Sequence, residues 1–223
     1  MSFIQEQEGT PLLPELRKLS VKRKSGEERF QQHGSDLGFD VLSFWQWIGS
    51  DLVSNSMRGV LAEYLVARVL GLGVDGIRNE WDAFDLVTPN GLKIEVKSAA
   101  YVQTWHQKQL SKISFLVRKT KSWDSDTNVQ SKESRRHADV YVFALLFHQD
   151  KGSINPLQLD QWEFYVVPTT VLDARTRSQH SITLKSLRQL GMGPVGYSEL
   201  PAAVKAAGKA ITNRRSEAAL GTT

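Results

Sequence analysis

The run ADVYVFALLFH at residues 138–148 constrains the fold more than any other stretch of this sequence. It is almost wholly apolar, so a strand made from it must be covered on both faces, as in the centre of an α/β sheet. The run WEFYVVP at residues 162–168 predicts a neighbouring strand. We therefore expect an α/β protein with a mixed central β-sheet flanked by helices.

Further elements are predicted on both sides of these strands. Residues 40–54 carry apolar side chains near helical spacing, and residues 58–70 are the clearest helix, which Gly71 and Gly73 end. The remaining patterns predict antiparallel strands at 83–88 and 92–99 joined by the turn PNG, a strand at 112–118, a polar loop at 120–136, a short helix at 169–174 and an edge strand at 181–184.

Composition changes along the chain suggest three parts. Residues 1–40 are expected to form a peripheral N-terminal extension that includes a short helix at 12–23. Residues 41–200 are expected to form the α/β domain. Residues 201–223 are predicted to be a basic C-terminal helix, at 201–212, followed by a frayed tail.

The residues that are missing exclude several classes of protein. There is no cysteine, which excludes disulfides, zinc–thiolate sites and thiol nucleophiles. No signal peptide pattern begins the chain, and no window approaches the roughly 18 apolar residues of a membrane helix. No GxxxxGK[ST] motif is present, so a nucleotide-hydrolysing motor is not indicated. We expect a soluble, cytoplasmic protein.

Positive charge is concentrated in one segment. The whole chain has a net charge of only +4, whereas residues 91–121 contain seven lysines and arginines and a single acid, Glu95, for a local charge of +6. Such a field attracts phosphate polyanions. A solvated basic surface without a ligand is an equally good interpretation of the charge alone.

Acidic residues on the two strands around the PNG turn point to a metal site. Antiparallel pairing brings Asp85 towards Glu95 and Lys97, which share one face of the second strand. Converging carboxylates repel each other unless a cation neutralises them, and hard oxygen ligands suit magnesium or manganese. The alternative is that Glu95 and Lys97 are alternating charges on a solvent face, which is the commoner meaning of so short a motif.

Glu63 is the second unusual acid. It lies in the predicted helix RGVLAEYLVARVLG, where its neighbours are apolar or glycine apart from the arginines. Burial of a carboxylate there is costly unless the group is paired or binds a metal. Pairing with a basic residue, or a position at the rim of the helix, is the alternative.

The order helix-Glu, Asp, then a strand with Glu-x-Lys resembles the PD-(D/E)xK nuclease superfamily, which has the restriction-endonuclease-like fold. The matching stretches are RGVLAEYLVARVLG, FDLVTPNGLKIEVKSA and RRHADVYVFALLF, within residues 55–167. Phe84 stands where the family often has proline. Asp82 is a rival for the Asp position but precedes the strand, so we interpret it as a turn or capping residue.

The resemblance implies phosphodiester hydrolysis that depends on Mg²⁺, for which Mn²⁺ substitutes. Asp85 and Glu95 would hold the metal with the backbone carbonyl of Val96, and Glu63 would complete the site. Lys97 would position or activate the water and stabilise the transition state.

The expected partner is nucleic acid, most plausibly double-stranded DNA cut by an endonuclease. The residues assigned to contact it are Gln103, Trp105, Lys108, Lys112, Arg135 and Arg136. A packed tryptophan, a solvated loop glutamine and a solvated basic run are the alternatives for these residues. The resemblance allows a homodimer, although no segment predicts an interface.

Two other functions are compatible with the sequence. One is a nucleic-acid-binding protein that keeps the nuclease fold without cleaving. The other is a protein-interaction domain in which the charges only decorate the surface. The intact Asp–Glu–Lys set argues against the first, and the apolar surroundings of Glu63 argue against the second.

Overall fold

The computed structural model describes residues 16, 18–73 and 75–220, of which residues 212–220 are described by their backbone alone. In chain order the elements are β1 (Arg29–Gln32), β2 (Ser35–Asp40), α1 (Val41–Gly49), α2 (Asn55–Val69), β3 (Leu86–Val87), β4 (Lys93–Ala100), β5 (Ser114–Leu116), β6 (Trp123–Asp124), β7 (Val129–Gln130), β8 (Val140–Leu146), β9 (Trp162–Pro168), α3 (Thr169–Asp173), β10 (Ser181–Thr183), α4 (Leu184–Arg188) and α5 (Leu200–Leu220).

The central sheet is mixed, with the strand order β3-β4-β8-β9. Strand β4 pairs antiparallel with β3 and parallel with β8, and β8 pairs antiparallel with β9. Every residue of β8 is buried, as its unbroken apolar sequence predicts. The predicted α/β class with a mixed central sheet flanked by helices is confirmed.

Each face of the sheet buries its own hydrophobic core. On one face, side chains of α2 and α5 pack against alternate residues of β4, β8 and β9, among them Ala62, Val66, Ile94, Val142, Phe164 and Val204. On the opposite face, β5, β10, α3 and α4 cover the other residues of the same strands through Phe115, Phe143, Tyr165, Leu172, Ile182 and Leu187. This two-sided cover makes the sheet a rigid platform for side chains at its edge.

Three segments differ from the sequence prediction. Strand β5 lies outside the central sheet, because it pairs antiparallel with β10 in a separate ladder. The polar segment 120–136 contains the β6–β7 hairpin, closed by a bridge between Thr120 and Arg135. Helix α5 continues to Leu220, so the predicted frayed tail is helical as far as it is described.

The N-terminal part contains a hairpin and a helix. Strands β1 and β2 pair antiparallel, and Asp40 caps α1 by accepting from the backbone N–H of Ser43. The predicted helix at 12–23 lies largely outside the described residues, and residues 18–23 are not helical. Within the described chain, no helix combines the length and apolar character needed to cross a membrane.

Candidate active site

The β3–β4 hairpin sets the position of the first acid. The backbone N–H of Gly91 donates to the carbonyl of Thr88 at 2.8 Å and closes the turn, and Gly91 has φ of +80°, which favours glycine. Leu86 pairs with Ile94, and the N–H of Asp85 donates to the carbonyl of Ile94 at 3.1 Å. Asp85 therefore lies beside Glu95, as the sequence predicts.

Asp85 occupies an unfavourable electrostatic environment for a carboxylate. Its side chain accepts a hydrogen bond from the backbone N–H of Val96 at 2.6 Å. Burial, followed by the nearby charges of Glu95 and Glu63, raises the pKa of Asp85 from 3.8 to about 7, against smaller lowering effects of Val96 and Lys97. Asp85 therefore lies within electrostatic range of the other two carboxylates.

Lys97 and Glu95 project from the same face of β4. The Nζ atom of Lys97 lies 2.5 Å from Oε1 of Glu95, and the two side chains are 33% and 18% exposed. Tyr141 stands beside Glu95 on β8, and burial together with the charge of Glu95 raises the pKa of its hydroxyl. The lysine is therefore accessible to a ligand, while the glutamate is held against the sheet.

Glu63 forms an ion pair that sequence reasoning did not assign. Arg78 donates from Nε and Nη2 to the two carboxylate oxygens of Glu63 at 2.6 Å and 3.1 Å, the two-bond geometry typical of a strong pair. The hydrogen bond to Glu63 raises the pKa of Arg78, and the charges of Glu63, Asp85 and Glu80 add to this effect against the opposing effect of burial. Pairing with a basic residue, the alternative interpretation of Glu63, is thus present in this structure.

A cleft with aromatic walls opens over the acids. A cavity of about 390 Å³ is lined by Glu80, Trp81, Asp82, Ala83, Asp85, Glu95, Thr120, Lys121, Ser122 and Trp123. The rings of Trp81 and Trp123 meet edge to face with their centroids 5.5 Å apart. The irregular segment before β3 and the β6–β7 hairpin therefore form the walls of the cleft. Asp82, which the sequence suggested to be a turn or capping residue, is one of the lining residues.

The donor set fits a magnesium ion. Among the residues that the structure describes, no group of three or more acidic or histidine side chains is close enough to hold an ion together. Magnesium, however, usually takes one or two carboxylates and keeps several water ligands. Asp85 and Glu95, with water and the Val96 carbonyl, match that requirement, whereas Glu63 is engaged by Arg78.

Four of the residues predicted to contact nucleic acid are exposed. Trp105 is half exposed, and its carbonyl accepts from the ammonium of Lys151. Lys108, Lys112 and Arg135 are also exposed. All four remain available to a ligand.

Gln103 and Arg136 are buried, unlike the other residues that are predicted to contact nucleic acid. Gln103 is 5% exposed, and its amide donates to the carbonyl of Ala100 and to Ser111. The Arg136 side chain is 0% exposed, and its guanidinium donates to the Val117 carbonyl and pairs with Asp173. Both side chains hold protein segments together, because their hydrogen-bonding groups are directed inwards.

An α/β sheet whose edge carries clustered carboxylates, an accessible lysine and a basic surface is typical of enzymes that act on nucleic acids. The family model described as Bacteriophage T4 endonuclease IV matches residues 4–186, which include Glu63, Asp85, Glu95 and Lys97. The chain therefore belongs to the bacteriophage T4 endonuclease IV family, a family of nucleases. A search of curated proteins finds no match.

Proposed function

We propose that this protein is a metal-dependent DNA endonuclease whose active site follows the PD-(D/E)xK pattern. Asp85 and Glu95, with the carbonyl of Val96, would hold Mg²⁺, with Mn²⁺ as a substitute. Membership in an endonuclease family supports cleavage of DNA. The observation that carries the metal site is the convergence of Asp85 with Glu95 and Glu63, where burial first, and then the charges of these two acids, raise the pKa of Asp85.

The residues of the site divide the chemistry among them. A bound Mg²⁺ supplies Lewis acidity at the scissile phosphate and lowers the pKa of a bound water. The Lys97 ammonium, held beside Glu95, orients the attacking water and stabilises negative charge that develops on the phosphate. Arg78 balances the charge of Glu63, and both residues line a second cavity that also reaches Asp85.

A non-cleaving nucleic-acid-binding protein is the second candidate. Two ion pairs favour it, since the charge of Glu63 is balanced by Arg78 and that of Glu95 by Lys97. Asp85 forms no ion pair with any residue that the structure describes, and burial together with Glu95 and Glu63 raises its pKa. A protein that only binds polyanions gains nothing from a buried acid at the basic surface.

Cleavage assays on the full chain test this proposal. Plasmid and single-stranded DNA are incubated with Mg²⁺ or EDTA, and the rate of strand scission is measured. We expect Asp85→Asn and Lys97→Met to lower the rate by at least about 100-fold, because each removes a group that acts on the reacting phosphate. Lys93→Met is the matched control, since Lys93 lies on the same strand and packs over the Phe84 ring.

The comparison requires that the variants keep the fold. Circular dichroism and urea unfolding measure whether they do. Undiminished magnesium-dependent cutting by folded Asp85→Asn and Lys97→Met would refute the assignment of these residues. A wild-type chain that binds DNA but leaves it intact with every divalent metal would support the second candidate.

A further inference from the structure

A basic cavity lies away from the acidic cleft, between the end of α3 and α4. Its volume is about 450 Å³, and it is lined by Thr170, Val171, Ala174, Arg175, Thr176, Arg177, Ser186, Gln189 and Leu190. Guanidinium groups beside hydroxyl and amide groups are the donors that bind phosphate in proteins. No acidic side chain lines this cavity.

The two arginines of this cavity lack an acidic counterpart. Among the residues that the structure describes, neither Arg175 nor Arg177 forms an ion pair, and the Nη1 atom of Arg175 is buried without a hydrogen-bond partner. The nearby acid, Asp173, already pairs with Arg136 and lies 4.0 Å from Lys119. Burial lowers the pKa of Arg175, and repulsion from Arg136 and Arg177 lowers it further. An anion in the cavity would satisfy the donor and reduce the repulsion.

A basic path links this cavity with the acidic cleft. Lys121 lines the cleft, and Lys119, two residues earlier, reaches Asp173 at the end of α3. The same segment is anchored next to the cavity, because the N–H of Val117 donates to the carbonyl of His180. Both lysines are exposed.

The distance between the two sites suits one nucleic-acid strand. Glu95, Tyr141 and Val167 lie side by side on β4, β8 and β9, and α3 begins just after β9. Two strand spacings put Glu95 roughly 10 Å from Val167. The end of β9, which leads into α3 beside the cavity, is therefore separated from Glu95 by about three phosphates, at about 3.4 Å per phosphate along the helix axis.

We propose that Arg175 and Arg177 bind a backbone phosphate of the substrate strand several nucleotides away from the bond that is cut. The inference rests on the proposed function, since it assumes that the strand occupies the acidic cleft. The site positions the substrate and takes no part in the chemistry. A free phosphate shares the same recognition chemistry, so the experiment includes it as a separate arm.

The test measures binding without catalysis. Affinity of the full chain for a fluorescein-labelled oligonucleotide is measured by anisotropy in EDTA over a range of salt concentrations, for wild type, Arg175→Gln and Arg177→Gln. Lys185→Gln is the matched control, because Lys185 is exposed on α4 but does not line the cavity. We expect each arginine variant to bind about tenfold more weakly and to lose about one unit of the salt slope. The control should change neither quantity.

The exposed Arg177 keeps the proposal testable even if Arg175→Gln unfolds the chain. Equal affinities and slopes for wild type and folded Arg177→Gln would overturn the proposal, and so would equal losses in Lys185→Gln. In the separate arm, inorganic phosphate is added and the melting temperature is measured. Phosphate could raise the melting temperature of the wild type but not that of Arg177→Gln, while both chains bind DNA equally well. That result would show a site for free phosphate and would also overturn the proposal.

The experiment separates this inference from the proposed function. Wild-type cleavage with unchanged DNA binding by Arg177→Gln would refute only the phosphate site. Weakened DNA binding by Arg177→Gln in a chain that never cleaves would support the phosphate site and leave the second candidate, a non-cleaving binder. A chain that binds no oligonucleotide would refute both.

Discussion

Asp85 is the side chain at which folding and the proposed chemistry oppose each other. Burial and the neighbouring Glu95 and Glu63 raise its pKa from 3.8 to about 7. Between these two pH values, the Asp85 carboxyl is protonated in the folded state and ionised in the unfolded chain. The stability associated with the protonated form is fully present below pH 3.8 and is lost as the pH rises through about 7. A metal ligand must be deprotonated, so the same carboxylate binds metal better as the pH rises.

We predict a specific pH dependence of stability from this shift. In EDTA, the free energy of unfolding of the wild type relative to Asp85→Asn should fall between pH 3.8 and about 7. Urea unfolding at a series of pH values measures it. The asparagine variant carries no charge at this position and serves as the reference for all other titrating groups. A constant difference across that range would show that Asp85 titrates normally.

Side-chain partners are the part of the site that sequence reasoning could least predict. Asp85, Glu95 and Lys97 could be placed together because strand pairing and alternation determine their positions. Arg78 could not be paired with Glu63, since it lies 15 residues away in a segment without periodicity. Likewise, the burial of Gln103 and Arg136 depends on tertiary partners such as Ser111 and Asp173, which no local pattern reveals.

At the scale of elements, the β3–β4 hairpin is the unit that assembles the acids. Its turn fixes the register, and a shift of one residue would move Glu95 and Lys97 to the opposite face of the sheet. This unit was predictable because a PNG turn between alternating strands has a strong sequence signal. The β5–β10 ladder and the β6–β7 hairpin were not predicted as such, because pairing between distant or polar two-residue strands leaves little pattern.

Gly91 provides a test of that unit. We predict that Gly91→Ala lowers the free energy of unfolding by about 1–2 kcal/mol, because φ of +80° is unfavourable for a residue with a Cβ. The DNA cleavage rate should fall with it if the turn also controls the register of Asp85. Gly193→Ala is the control, since Gly193 has no positive φ and open space around its Cβ, and it should change stability by less than about 0.5 kcal/mol. Equal stability of the two variants in urea unfolding would contradict this role of the turn.

At the scale of the whole molecule, the sheet is buried on both faces, and the candidate site lies at the edge that β3 forms. In the strand order β3-β4-β8-β9, the fully buried β8 lies inside the sheet, and the short β3 forms one edge beside β4. Lys93 and Lys97 lie on β4 next to this edge, and Lys121 lines the cleft. Attraction of a polyanion and repulsion among carboxylates therefore meet at one cleft, and the divalent cation that we propose would resolve the conflict.

The central claim is that Asp85 and Glu95 bind a divalent metal beside Lys97. A crystal structure of the full chain soaked in Mn²⁺, with anomalous diffraction data, tests it most directly. We predict one anomalous peak in the cleft within about 2.3 Å of a carboxylate oxygen of each acid, and no such peak in Asp85→Asn. Manganese bound elsewhere on the wild-type protein, with Asp85 and Glu95 free of metal at saturating concentration, would contradict the account.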